Sequence, residues 1–196
     1  MADRGIFITF EGMDGSGKTT QMKRLAARLR STGRTVLETA EPGGTRIGAQ
    51  IRRILLDAAN QELAPTAELL LYFASRAQNV NELILPALGR GEVVLADRFT
   101  DSSLVYQGCG RGLKPDLTVL VDIDAETSLG RARARNTAEP NCETRMDEQA
   151  LEFHRRVYHA YHALAEREPE RVKMVDGCAD IDTIEAEIWR IVSRYV

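Results

Sequence analysis

The sequence predicts an α/β fold: a five-stranded parallel sheet with helices on both faces. Short β-rich apolar runs alternate along the chain with longer stretches whose apolar residues recur at helical spacing, the pattern of strands joined by crossover helices. The first apolar run also breaks into glycines and leads directly into an amphipathic helix, a strand–loop–helix unit. The chain has 196 residues and shows no internal repeat, low-complexity tract or linker, so a single domain spanning 1–196 is expected.

Ile6 to Phe10 is the first strand. From Lys18, the residues Met22, Leu25, Ala26 and Leu29 fall on one helix face with Lys23, Arg24, Arg28 and Arg30 opposite, and Gly33 closes the helix. Thr35-Val36-Leu37 is the second strand, and Ile47, Ile51, Ile54 and Leu55 mark a second helix. A third helix opens at Pro65, whose fixed φ suits a first helical position, and runs on through Leu69, Leu70 and Phe73. Val93 to Ala96, Leu117 to Val121 and Val172 to Val175 supply the other strands. Helices from Ala125 to Arg135 and from about Asp147 to Arg167 lie between the last two of these. Asp182 with Glu185 forms a capping box for a final helix carrying Ile184, Ile188 and Ile191 on one face.

A composition of 43% hydrophobic and 28% charged residues is that of an ordinary globular protein, and a net charge of −3 argues against a dedicated nucleic-acid binder. Cys109, Cys142 and Cys178 are odd in number and far apart, which excludes a disulfide framework and metal-ligand spacing and fits a reducing cytoplasm. There is no apolar stretch of the ~20 residues that a membrane span needs, so no membrane partner is expected.

Ligands of parallel α/β folds bind beyond the carboxyl ends of the strands. Gly12-Met13-Asp14-Gly15-Ser16-Gly17-Lys18-Thr19 stands at such an end and satisfies G-x-x-x-x-G-K-[ST], the phosphate-binding P-loop. Its glycines let backbone N–H groups turn toward phosphates, and the helix N-terminus that follows adds favourable partial charge. Lys18 would reach the β- and γ-phosphates of a nucleotide, and the Thr19 hydroxyl would ligate Mg²⁺. Thr20 continues the loop into the helix.

Asp97-Arg98 follows another strand directly. The carboxylate can hold a Mg²⁺ shell while the guanidinium grips an acceptor phosphate, a task suited to a planar fork. A GTPase switch would ordinarily carry an N-K-x-D guanine-reading segment, and none exists here. Arginines at a second strand end instead suit phosphoryl transfer between two bound phosphates.

The ordered set of motifs resembles the thymidylate kinase family over essentially the whole chain. Phe10 to Gln21 resembles its P-loop, Glu41-Pro42-Gly43-Gly44-Thr45 its second-strand loop, and Tyr72-Phe73-Ala74-Ser75-Arg76 its base-binding helix. Asp97-Arg98-Phe99 through Ser102-Ser103 to Tyr106-Gln107-Gly108 is similar to its DRY…S…AYQG stretch, and Arg131-Ala132-Arg133-Ala134-Arg135 to its lid. The resemblance implies a nucleoside monophosphate kinase-like P-loop fold, Mg²⁺-dependent transfer of the γ-phosphoryl of ATP to dTMP, and a homodimer. It implies that Tyr72 stacks on thymine while Arg76, on the same helix face by its i,i+4 spacing, donates to a ring carbonyl. Ser103 falls near the base edge, Tyr106 under the deoxyribose, and Asp14 between donor and acceptor. Arg52 is a candidate second arginine for the acceptor phosphate. The chain departs from the family at Ala40 and Arg46, where Arg and Pro are common.

Some members place a catalytic arginine in the P-loop where this chain has Gly15; the resemblance here is to the branch that supplies it from a mobile lid, about 131–147. Arg131 and Arg135 share a helix face at i,i+4, and Arg145 follows in Thr144-Arg145-Met146-Asp147. Arg131 is thereby a candidate ATP contact, and Arg135 and Arg145 are candidate catalytic residues. The loop after the last strand, Asp176 to Asp180, is implied to receive adenine.

Overall fold

In a computed structural model, residues 4–107, 113–138 and 150–196 are described, with the side chains of 104–107 and 138 excepted. Five strands, β1 (Phe7–Glu11), β2 (Val36–Ala40), β3 (Val93–Asp97), β4 (Leu117–Asp122) and β5 (Val172–Asp176), form one sheet in the order β2-β3-β1-β4-β5. Every pairing is parallel, as the alternation of elements requires.

Period-2 alternation divides each strand between two cores. Ile8, Phe10, Leu95, Val119 and Val121 face α1 (Lys18–Ser31) and the last helix, α8 (Ile181–Val192). On the opposite face, Phe7, Val94 and Ala96 pack with Ile84, Ala87 and Leu88, while Leu120 and Val172 pack with Val157, Tyr161 and Leu164 of α7 (Leu151–Arg167). Helices therefore cover both faces.

α2 (Arg46–Leu56) begins at Thr45, whose side chain accepts from Gly48 N at 2.9 Å. α3 (Pro65–Asn79) has its proline in the first turn, then passes through a π-helical stretch (Val80–Ile84) into α4 (Leu85–Gly89). Neither this continuation, although Val80, Leu83, Ile84, Ala87 and Leu88 recur at helical spacing, nor the helix α5 (Thr100–Gln107) was among the expected elements. α6 is Ala125–Ala138, which takes in the first part of the expected lid; residues 139–149, with Arg145, lie outside those described.

Several element ends shift by one to three residues, β2 running over Val36–Ala40 where Thr35 to Leu37 is expected, and the cap of the last helix also differs from expectation. α8 is capped by Asp180, whose carboxylate accepts from the N–H groups of Asp182 and Thr183 at 3.1 and 3.0 Å, and not by an Asp182–Glu185 box. Asp182 and Glu185 instead both accept from Arg24 of α1. Pairing between the packed helices takes the two carboxylates that spacing alone assigns to the cap. Among the described residues, no helix is long and apolar enough to cross a membrane.

Candidate active site

The strand order brings the chemistry together. β1 lies between β3 and β4, and Phe10 sits opposite Asp97, so the loops leaving β1 and β3 emerge side by side. The turns are locked by Arg98 N donating to Phe10 O at 2.9 Å and Glu41 N donating to Asp97 O at 2.9 Å.

Gly12 and Gly15 have φ of +134° and +76°. A Cβ on Gly12 would lie 2.4 Å from Val121 O, and one on Gly15 would lie 2.7 Å from Arg131 Cβ, so the loop is pressed against β4 and α6. α1 starts at the left-handed Gly17 without a side-chain cap, leaving its first-turn N–H groups for an anion. Ser16 Oγ is buried with no hydrogen-bond partner. Lys18 folds back, Nζ lying 3.3 Å from Met13 O and 3.5 Å from Asp14 Oδ1. Burial and then Arg98 push this ammonium below its ordinary range. Thr19 Oγ1 donates to Asp97 Oδ2, which sets two hard oxygen ligands side by side.

Arg98 alone among the described non-glycine residues has a positive φ, +69°. That conformation costs about 1–3 kcal/mol and holds only where surroundings fix it. Its Nη2 donates to Asp14 Oδ1 at 2.9 Å, and its Nη1 to Ser102 Oγ and Tyr161 Oη, each at 3.3 Å. Burial opposes the charge of Asp14, but Arg98 and Lys18 outweigh it and hold the carboxyl well below the usual range, with Arg135 adding to the pull. Behind them, the fully buried Glu11 accepts from Phe99 N (2.8 Å), Ser102 Oγ (2.6 Å) and Tyr161 Oη (3.0 Å). Burial and the nearby Asp101 carboxylate raise its pKa above the ordinary value.

A second cluster surrounds Arg76. Its Nε donates to Glu41 Oε2 at 2.7 Å, and its Nη2 to Phe99 O (3.0 Å) and Ser103 Oγ (2.8 Å). Nη1 is buried without a partner. Glu41 is pushed up to about 7 by burial, against the pull of Arg76 and Asn79. Asn79 Nδ2 donates to Glu41 Oε1 at 3.3 Å, and Asn79 Oδ1 accepts from Thr39 Oγ1 at 2.9 Å. The Glu41–Pro42 peptide is cis.

A family model for thymidylate kinase matches residues 10–188. The chain belongs to the thymidylate kinase family. It is 50% identical over 201 residues to the thymidylate kinase of Pelobacter propionicus, covering 94% of this chain and 92% of that one. With the thymidylate kinase of Deinococcus radiodurans the identity is 48% over 207 residues, covering 97% and 98%. The crystal structure of the thymidylate kinase from Ehrlichia chaffeensis aligns with a TM-score of 0.75 at 28% identity, covering 97% of this chain and 99% of that one.

Of the positions marked by resemblance to the thymidylate kinase family, Asp14, Lys18, Thr19, Asp97, Arg98 and Ser102 converge at the ends of β1 and β3. Glu41, Arg76 and Ser103 converge beside them. Arg52 Nη1 donates to Pro42 O at 3.1 Å, on the loop after β2. Tyr72 and Phe73 are half-buried, and the Arg76 guanidinium lies 5.9 Å from the Phe73 ring. Thr20 is exposed on the first turn of α1. Arg131 bridges two loops, its Nη1 lying 3.3 Å from Gly15 O and 3.2 Å from Gly177 O. Arg135 is exposed beside Asn136. The side chains of Tyr106 and Gln107, like all of Arg145, lie outside the described residues.

Sequence reasoning missed Glu11, Asn79 and Tyr161. Glu11 had a signal: it is a carboxylate closing an apolar strand, where burial demands partners. Tyr161 had none, since an aromatic on an apolar helix face reads as core.

Proposed function

We infer that the chain transfers the γ-phosphoryl of ATP in line to the 5′-phosphate of dTMP, giving dTDP and ADP. The observation that carries this reading is Asp14, which bridges Lys18 of the P-loop and Arg98 at the end of β3. A cation for the donor phosphates and a guanidinium for the acceptor phosphate thus face each other across one carboxylate. Phosphoryl transfer asks a protein mainly to position two phosphates and offset developing charge, and those groups meet both demands.

The first-turn N–H groups of α1 and Lys18 cradle the β- and γ-phosphates, with Gly12, Met13, Ser16, Gly17 and Thr20 shaping the loop. Thr19 and Asp97 would hold Mg²⁺, which keeps most of its shell as water and phosphate oxygens and so needs few protein ligands. Bound there, the ion supplies neutralisation of phosphate charge. Arg98 orients the acceptor phosphate with Arg52 as a second contact. Tyr72 stacks on the base, and the unpartnered Nη1 of buried Arg76 reads a carbonyl on its edge. Arg131 and the loop after β5 enclose adenine, and a lid at about 131–147 closes over ATP. The exposed Ile47, Ile54 and Leu70 on α2 and α3 support a homodimer through that face. The exposed free thiol of Cys178 suits a reducing cytoplasm.

A coupled ADP-release assay across dTMP, dUMP, dCMP, dGMP and AMP tests the reading. A clear preference for dTMP is expected. Turnover indifferent to the acceptor would refute the assignment.

A further inference from the structure

Arg98 rests against two hydroxyls that both reach a buried carboxylate. A hydroxyl carries one proton and two lone pairs, so what it offers a guanidinium depends on where that proton points. The two hydroxyls lie 3.1 Å apart, where either could donate to the other, and both also reach Glu11: Ser102 Oγ lies 2.6 Å and Tyr161 Oη 3.0 Å from Glu11 Oε2, each placed to donate to that charged oxygen. The other carboxylate oxygen is engaged by Phe99 N–H at 2.8 Å. Glu11 is fully buried and Tyr161 is 2% exposed, so water is kept from the bond between them, while Ser102 is half-buried at the edge of the cluster. The three groups come from β1, α5 and α7, elements far apart in sequence, and meet behind the left-handed turn at Arg98.

We propose that Glu11, Ser102 and Tyr161 are positioning residues for Arg98: the carboxylate draws both hydroxyl protons to itself, which leaves both hydroxyls as obligatory acceptors for the guanidinium. With Nη1 fixed by those lone pairs, Nη2 is turned to Asp14 on the P-loop. The plane of the fork is then set before substrate arrives, so no reorganisation is needed as charge develops. No proton or group is transferred. The proposal rests on the reading of Arg98 as the holder of the acceptor phosphate.

Tyr161→Phe removes one oxygen from a packed ring and leaves Ser102 on Glu11. It is expected to lower kcat/KM for dTMP about tenfold, the scale of one hydrogen bond to a charged group, with the KM for ATP within about twofold. Glu11→Gln is expected to be harsher. Phe99 N–H retains the amide oxygen, so the amide nitrogen faces the two hydroxyls and turns their protons toward Arg98. The deciding measurement is Tyr161→Phe in an Arg98→Ala background at high enzyme concentration. Acting through Arg98, the second change adds less than about twofold to the loss from the first. Full additivity means that Tyr161 acts on its own and overturns the proposal. So do wild-type dTMP kinetics in Tyr161→Phe and Glu11→Gln while Arg98→Ala is impaired. Wild-type turnover in Arg98→Ala removes the reading of Arg98 instead, and this proposal with it. Should Glu11→Gln not fold by its melting curve, the Tyr161 cycle decides alone.

Discussion

Arg76 Nε lies 2.7 Å from Glu41 Oε2, and the two side chains are 8% and 3% exposed. A charge pair so deeply buried brings little net stability against well-packed apolar residues, yet breaking it is severe because one charge is left uncompensated. Its value is placement. Arg76 is held at Nε and Nη2, and Nη1 alone is left buried and unsatisfied. Such a group costs stability until a ligand accepts from it.

Removing one partner tests that view. Arg76→Ala is expected to cost roughly 3–5 kcal/mol in chemical denaturation. Arg76→Met with Glu41→Gln, which removes both charges, should cost clearly less than the sum of the single changes. In the surviving fold, KM for dTMP should rise more than KM for ATP. An unchanged dTMP constant would assign Arg76 to structure alone.

Lys18 and Arg98 flank the same carboxylate, so their loss should be felt in turnover before binding. Lys18→Ala and Arg98→Ala are each expected to lower kcat by about two to four powers of ten, the range for groups that meet transition-state charge. Steady-state rates with saturating ATP and dTMP measure this. Wild-type kcat in either variant would remove that residue from the catalytic machinery.

Gly15 has both a positive φ and a neighbour in the way. A Cβ there would lie 2.7 Å from Arg131 Cβ and 3.2 Å from Ser128 O. Gly15→Ala should therefore strain the P-loop against α6, lowering the melting temperature and raising KM for ATP more than for dTMP. Equal effects on both substrates would show that the strain is not confined to the donor side.

Glu168 supplies a pH test. Hydrogen bonds from Arg171 first, and Lys114 second, hold its carboxyl down to about 2 from an ordinary 4.5. Because the folded-state pKa is depressed, the unfolded chain binds more protons between those values, and stability falls as pH falls through them. The contribution is fully present above about pH 4.5 and lost toward pH 2. Arg171 also grips Asp101 at 2.7 and 2.9 Å, anchoring the start of α5 where Ser102 and Ser103 follow. The difference in melting temperature between wild type and Glu168→Gln should thus shrink as pH is lowered from about 5 to 3. A constant difference would show that the pair does not carry the acid response.

The strands, the P-loop and the Asp97-Arg98 turn were legible because each depends on local pattern: apolar runs, glycines at tight turns, polar residues at strand ends. Where periodicity conflicted with partners across the fold, it misled. Asp182 and Glu185 have capping-box spacing, but Arg24 on a packed helix takes both, and Asp180 caps instead.

The P-loop spacing that opens this chain determined by itself that a phosphate-binding type of loop follows the first strand, since glycine, lysine and threonine act there through backbone shape and reach. Which distant side chains stand behind Arg98 and Arg76 was decided only by tertiary structure. Glu11 and Tyr161 are 150 residues apart, and Glu41 and Arg76 are 35 apart. Their bonds exist because a β2-β3-β1-β4-β5 order and two packed faces bring buried polar groups together where each must find a partner.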